Sequence, residues 1–149
     1  MNRLRRQLVR GAALLAAGLL SPLAALAATW NKEAFGAKTA ADALKGIGAT
    51  DAAPSKDVLI EAPDIAENGA VVPIEITSNV PGTRSISVVA EHNPFPLVAK
   101  FDFLEGAVPY VKLNIKMGET SDVRVIAEAS GKHYFATKNI KVTIGGCGG

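Results

Sequence analysis

Cysteine occurs once in these 149 residues and histidine twice. Those shortages exclude a good deal. No second cysteine exists to close an internal disulfide, and no Cys-x-x-Cys-His run is present to carry a covalent c-type haem. His92, His133 and Cys147 fit no recognised zinc spacing, so neither a metal site nor another cofactor is expected. Also lacking are a Gly-rich phosphate loop ahead of a helix, a serine elbow and a clustered pair of carboxylates. No catalytic residue is assigned, because a chain this poor in nucleophile–base combinations has little to work with as an enzyme. A long uninterrupted apolar run of membrane-spanning length is missing as well.

The start of the chain is informative. Charged residues through Arg10 precede an apolar stretch from Ala12 to Leu20 and then Ala25-Leu26-Ala27, the pattern of an export signal with a small-residue cleavage site. Adjacent Arg5 and Arg6, followed by Gln7-Leu8-Val9, are similar to a twin-arginine signal, the alternative being an ordinary secretory one. Cleavage is expected after Ala27, with a periplasmic destination. Losing four arginines leaves 12 basic residues against 14 acidic, a net charge of about −2. The basic character therefore belongs to the leader and gives no argument for nucleic-acid binding. No cysteine stands directly after the leader's end, so a lipid-anchored form is not expected.

Three segments are expected: residues 1–27 as the signal, 28–144 as one folded domain, and 145–149 as a tail. Within the domain, Trp30, Ala34, Ala37, Ala41, Leu44 and Gly48 recur at three- and four-residue spacing. That predicts a single helix over Trp30 to Gly48, capped by Thr29, with Trp30 and Phe35 as packing residues. From Val58 onward the period changes to two. Strands are predicted at Val58–Ala62, Val71–Ser78, Arg84–Glu91, Leu97–Phe103, Tyr110–Met117, Ser121–Ala129 and His133–Ile144, with turn residues about every ten positions. Val111, Leu113, Ile115 and Met117 face a core while Lys112, Asn114 and Lys116 oppose them; Val123, Val125 and Ala127 likewise oppose Asp122, Arg124 and Glu128. Such alternation puts one face in a core and the other in water or against a partner. The fold class expected is all-β: an antiparallel sandwich of immunoglobulin-like size, about seven strands, preceded by one helix.

The tail reads Gly145-Gly146-Cys147-Gly148-Gly149. Glycine has no Cβ and tolerates backbone conformations closed to other residues, so four of them make a slim, mobile segment that resists packing. Cys147 is therefore expected to be exposed. An unpaired thiol in an oxidising compartment must be reactive, paired with another molecule, or a metal ligand. An unperturbed thiol titrates near about 8.5, leaving only a few per cent thiolate at neutral pH, and no cation lies closer in sequence than Lys141. A thiol slow on its own and activated inside a partner's pocket suits a carrier. At about 3.3–3.6 Å per extended residue, Cys147 stands roughly 10 Å beyond Ile144.

Leader, helix, sandwich, the His92-Asn93-Pro94-Phe95-Pro96 turn and above all the glycine-flanked Cys147 together resemble the SoxY family, carrier subunits of the bacterial thiosulfate-oxidising Sox system. The resemblance implies that Cys147 is the covalent attachment point for sulfur intermediates and that the chain is not itself an enzyme. It implies a heterodimer with a SoxZ-like sandwich subunit, and visits to a SoxAX-like haem protein, a SoxB-like hydrolase and in some cases a SoxCD-like dehydrogenase. Two rivals remain: a redox or assembly protein whose Cys147 forms an intermolecular disulfide, and a plain interaction module with an incidental cysteine.

Overall fold

The computed structural model describes residues 30–143. Seven of its strands are those predicted: β2 (Val58–Glu61), β4 (Val72–Ser78), β5 (Thr83–Ala90), β6 (Leu97–Asp102), β7 (Tyr110–Ile115), β8 (Ser121–Ala129) and β9 (Lys132–Val142). Two bridges of two residues each, β1 (Ala53–Pro54) and β3 (Ile65–Ala66), are additional. Both pair in parallel with β9, β1 near its start at Tyr134 and Phe135 and β3 at its end at Lys141 and Val142. They were not foreseen, since two residues carry no periodicity to read.

The strands form two sheets. The larger runs β1-β9-β8-β5-β6, with β3 also on β9, and the smaller runs β2-β4-β7. Apart from the β1 and β3 bridges the pairings are antiparallel. Period-2 alternation turns one side of each sheet inward. Val72, Ile74 and Ile76 of β4 and Val111 and Ile115 of β7 meet Ile86, Val88, Val123, Val125 and Ile140 of the larger sheet in one buried cluster. Full burial of an aliphatic side chain of this size contributes about 1.5–3 kcal/mol, so this double layer dominates stability.

The single helix expected over Trp30 to Gly48 is replaced by two short ones, α1 (Lys32–Gly36) and α2 (Ala40–Gly46). Capping explains the break. Asn31 Oδ1 accepts from Ala34 N at 3.0 Å and Thr39 Oγ1 accepts from Asp42 N at 3.1 Å, so each helix has its own N-cap and Thr39 restarts the chain after Gly36. Trp30, expected to pack, is 68% exposed. Phe35 does pack, beside Ala34, Ala43 and Ala49, against Val89, Leu97 and Ile126 on the outer face of the larger sheet. That face is therefore covered by the protein's own helices. Asp122, Arg124 and Glu128 on that face are half-buried, and Ile126, which interrupts their polar series, marks the contact with the helices.

Candidate functional site

The residues expected to carry function lie outside the described range: Cys147 with Gly145, Gly146, Gly148 and Gly149, and the export residues Arg5 and Arg6. What the structure describes is the base from which the tail departs. β9 is flanked by β8 from Lys132 to Ile140, where the ladder ends at the pair Ser121–Ile140. On its other side β3 continues the support, with Lys141 N donating to Asp64 O at 2.9 Å and Thr143 N to Ala66 O at 3.1 Å. Between them, Val142 N donates to Thr120 Oγ1 at 3.0 Å. Backbone held on both sides thus extends to Thr143.

Several loops gather at this end. The loop between β5 and β6 holds the loop between β7 and β8 through two consecutive residues. Asn93 Nδ2 donates to Lys116 O at 2.7 Å, and Asn93 Oδ1 accepts from Gly118 N at 3.2 Å. His92 Nδ1 lies 3.0 Å from Thr120 O; a carbonyl only accepts, so Nδ1 carries the proton in this geometry. His92 N also donates to Ser121 Oγ at 3.0 Å. From the turn after β3, Gly69 O accepts from Met117 N at 2.7 Å. Gly69 is the residue the crowding requires, since a Cβ there would stand 2.4 Å from Met117 O and 2.9 Å from Val142 Cγ1.

The two histidines separate. His133, in the second position of β9, is about 30 Å of strand away from Thr143; His92 is at the base of the tail. Among the described residues no group of three His, Cys, Asp or Glu is placed to hold a metal, and no helix is long and apolar enough to cross a membrane. Beside the same loops an open groove of about 620 Å³ runs between β6 and β7, floored by Leu97, Val98, Leu113 and Ile115 and edged by Phe95, over whose ring Lys38 Nζ sits at 3.5 Å. A shifted carboxyl stands on the β3 side. Lys138 Nζ donates to Asp64 Oδ1 at 2.7 Å, and that hydrogen bond first, with the lysine's charge second, holds the Asp64 carboxyl below its ordinary 3.8.

Sequence reasoning missed Thr120 and Asp64, and singled out the His92–Pro96 turn without seeing that it and the turn at Gly69 both bond to residues 116–118. The available signal for the second was Gly69 itself, but its partner Met117 is 48 positions away and no local pattern links them.

Comparison with known proteins agrees with this architecture. The family described as sulfur oxidation protein SoxY matches residues 44–147, a span that ends on Cys147. The solved structure of the sulfur carrier protein SoxY from Chlorobium limicola f thiosulfatophilum is 38% identical, with a TM-score of 0.63, over 69% of this chain and 94% of that one. Superoxide reductase (neelaredoxin) from Ignicoccus hospitalis aligns at 21% identity and a TM-score of 0.51, covering 58% of this chain and 80% of that one, a likeness of fold alone. No protein among curated ones matches. With the family matched over most of its length and a relative of this identity, the chain belongs to the SoxY family of sulfur oxidation proteins.

Proposed function

We propose that this protein is a periplasmic sulfur carrier that binds intermediates of thiosulfate oxidation covalently on Cys147 and presents them to partner enzymes. The observation that carries the reading is the family match ending on the chain's only cysteine, joined to a 38% identical relative that is a sulfur carrier protein. Support for export comes from the leader with Arg5 and Arg6. The described residues add a rigid sandwich that delivers backbone held on both sides as far as Thr143.

The chemistry asks little of the carrier. Joining the Cys147 sulfur to the outer sulfur of thiosulfate forms one S–S bond, releases the thiol proton and passes two electrons to an oxidant, the haem partner. The product is a cysteine S-thiosulfonate. Water then cleaves the bond between sulfane and sulfonate sulfur in the hydrolase, releasing sulfate and leaving a persulfide on Cys147. A dehydrogenase, where present, oxidises that outer sulfur to the sulfonate level, with water supplying the oxygens and an electron acceptor taking six electrons, and a second hydrolysis releases sulfate and regenerates the thiol. Covalent tethering holds each intermediate at high effective concentration for the next enzyme. Glycines around the thiol give an arm narrow enough to enter several pockets, where bulky or β-branched neighbours would obstruct it. A SoxZ-like subunit completes the carrier as a heterodimer.

Replacing Cys147 with Ser tests this. The expected outcome is complete loss of thiosulfate-dependent sulfate formation with an unchanged thermal midpoint and circular dichroism spectrum. Sulfate formation at the parental rate would overturn the carrier reading and shift weight to an intermolecular disulfide role.

A further inference from the structure

We infer that Thr120, held in place by the His92-Asn93 pair, is a positioning residue that fixes the base of the C-terminal arm. The inference rests on the carrier reading for its purpose, but its geometry stands within the described residues. Beyond Ile140, strand β8 has not yet begun, so β9 loses its neighbour on that side. The N–H groups of Lys141 and Thr143 turn toward β3 and find Asp64 O and Ala66 O. That of Val142 turns the other way, to the vacated side, where a backbone acceptor is missing. Thr120 Oγ1 takes its place at 3.0 Å. A side-chain hydroxyl thus stands in for the absent strand.

A hydroxyl on a free loop would anchor little. Residues 117–120 are not free, because His92 and Asn93, 23 to 29 positions away in sequence, make four hydrogen bonds to Lys116, Gly118, Thr120 and Ser121. The donors and acceptors of these two side chains point at the loop rather than outward to a ligand, apart from the second ring nitrogen of His92. The His-Asn turn, conspicuous in the sequence, therefore acts on the arm through Thr120.

The consequence is reach. With the base at Thr143, three residues lie between it and Cys147, a span of at most about 14 Å of extended chain. Two-residue pairing with β3 alone is marginal support, so losing the Thr120 bond returns the held base toward Ile140, seven positions before Cys147. Effective concentration falls roughly as the −3/2 power of length, a drop of about twofold at a partner's active site.

The test uses the full chain and three variants, Thr120→Val, Thr120→Ser and Asn93→Ala, with amide hydrogen exchange read residue by residue. Thr120→Val is expected to speed exchange of the Val142 amide roughly fivefold or more while the Val88 and Val125 amides keep parental rates. Thr120→Ser, which retains the hydroxyl, restores protection, and Asn93→Ala loosens Val142 by freeing the loop. With the sulfate-releasing hydrolase, Thr120→Val raises KM about twofold and leaves kcat unchanged. Parental Val142 protection in Thr120→Val overturns the inference. So does a uniform rise across Val142, Val88 and Val125, which would make Thr120 a general stabiliser. Cys147→Ser decides the carrier reading separately, since it removes the thiol without touching Val142.

Discussion

At the end of the sandwich where β9 finishes, loops are joined by side chains that reach across the sequence: Asn93 to Lys116 and Gly118, His92 to Thr120, Thr120 to Val142, over separations of 22 to 28 residues. At the opposite end loops are joined by backbone, Ser78 N donating to Pro109 O at 3.0 Å and Asn79 N to Asp57 O at 2.7 Å, while the side chains of the turns bond locally. Gly82, Gly106 and Gly131 adopt left-handed φ of 75°, 81° and 71°, and the side-chain hydrogen bonds of the β4–β5 turn, Ser78 to Thr83 and Thr83 to Val80, span five and three residues. Leu104 and Val108 there are 86% and 76% exposed. Cross-linking of loops by side chains is concentrated at the end where β9 finishes. On the proposed reading, an arm that enters other proteins needs a fixed base more than it needs two fixed ends.

Substitutions of glycine sharpen the contrast. Gly69→Ala at the cross-linked end drives a Cβ to 2.4 Å from the Met117 carbonyl oxygen, a backbone atom with no side-chain freedom to give way. A loss of about 2 kcal/mol is expected in denaturant unfolding, together with faster exchange at Val142. Gly106→Ala at the other end meets no atom within 4 Å and is penalised only for its left-handed φ of 81°. A loss of about 1 kcal/mol is expected, with Val142 exchange unchanged. Equal losses from the two variants, or looser Val142 in Gly106→Ala, would break the comparison.

The smallest expected effect is one of pH. Because Lys138 holds the Asp64 carboxyl below its ordinary 3.8, the stabilisation is fully present above about 4 and is lost as pH falls through the lowered value. Protection of the Lys141 amide, bonded to Asp64 O and corrected for intrinsic exchange, should stay flat from pH 7 to about 5 and decline only below about 4. Asp64→Asn should remove that decline. A decline beginning near pH 6 would implicate a histidine instead.

The sandwich was legible because Val, Ile and Leu alternate cleanly along the long strands, as at Val111 to Met117. The bridges at Ala53–Pro54 and Ile65–Ala66 were not, because two residues show no period and their pairing depends on β9 residues 81 and 76 positions away. The helix was misjudged for a local reason. The small apolar residues from Ala34 to Ala43 keep helical spacing through Ala37–Thr39, and only the caps Asn31 and Thr39 reveal two helices. Ile126 carried the clue that the polar face of β8 is covered, since it sits among Asp122, Arg124 and Glu128. Cys147 stood out at once because nothing near it competes for attention, whereas Thr120 is an ordinary loop residue until the backbone of Val142 is seen to need it.

Intact mass of the protein purified without reductant from cells grown on thiosulfate, followed by peptide mapping, tests the central claim most directly. The account predicts adducts on the Cys147 peptide spaced by sulfur and sulfonate units, all removed by a thiol reductant. A free thiol together with a simple disulfide-linked dimer, and no sulfur adduct at Cys147, would contradict it.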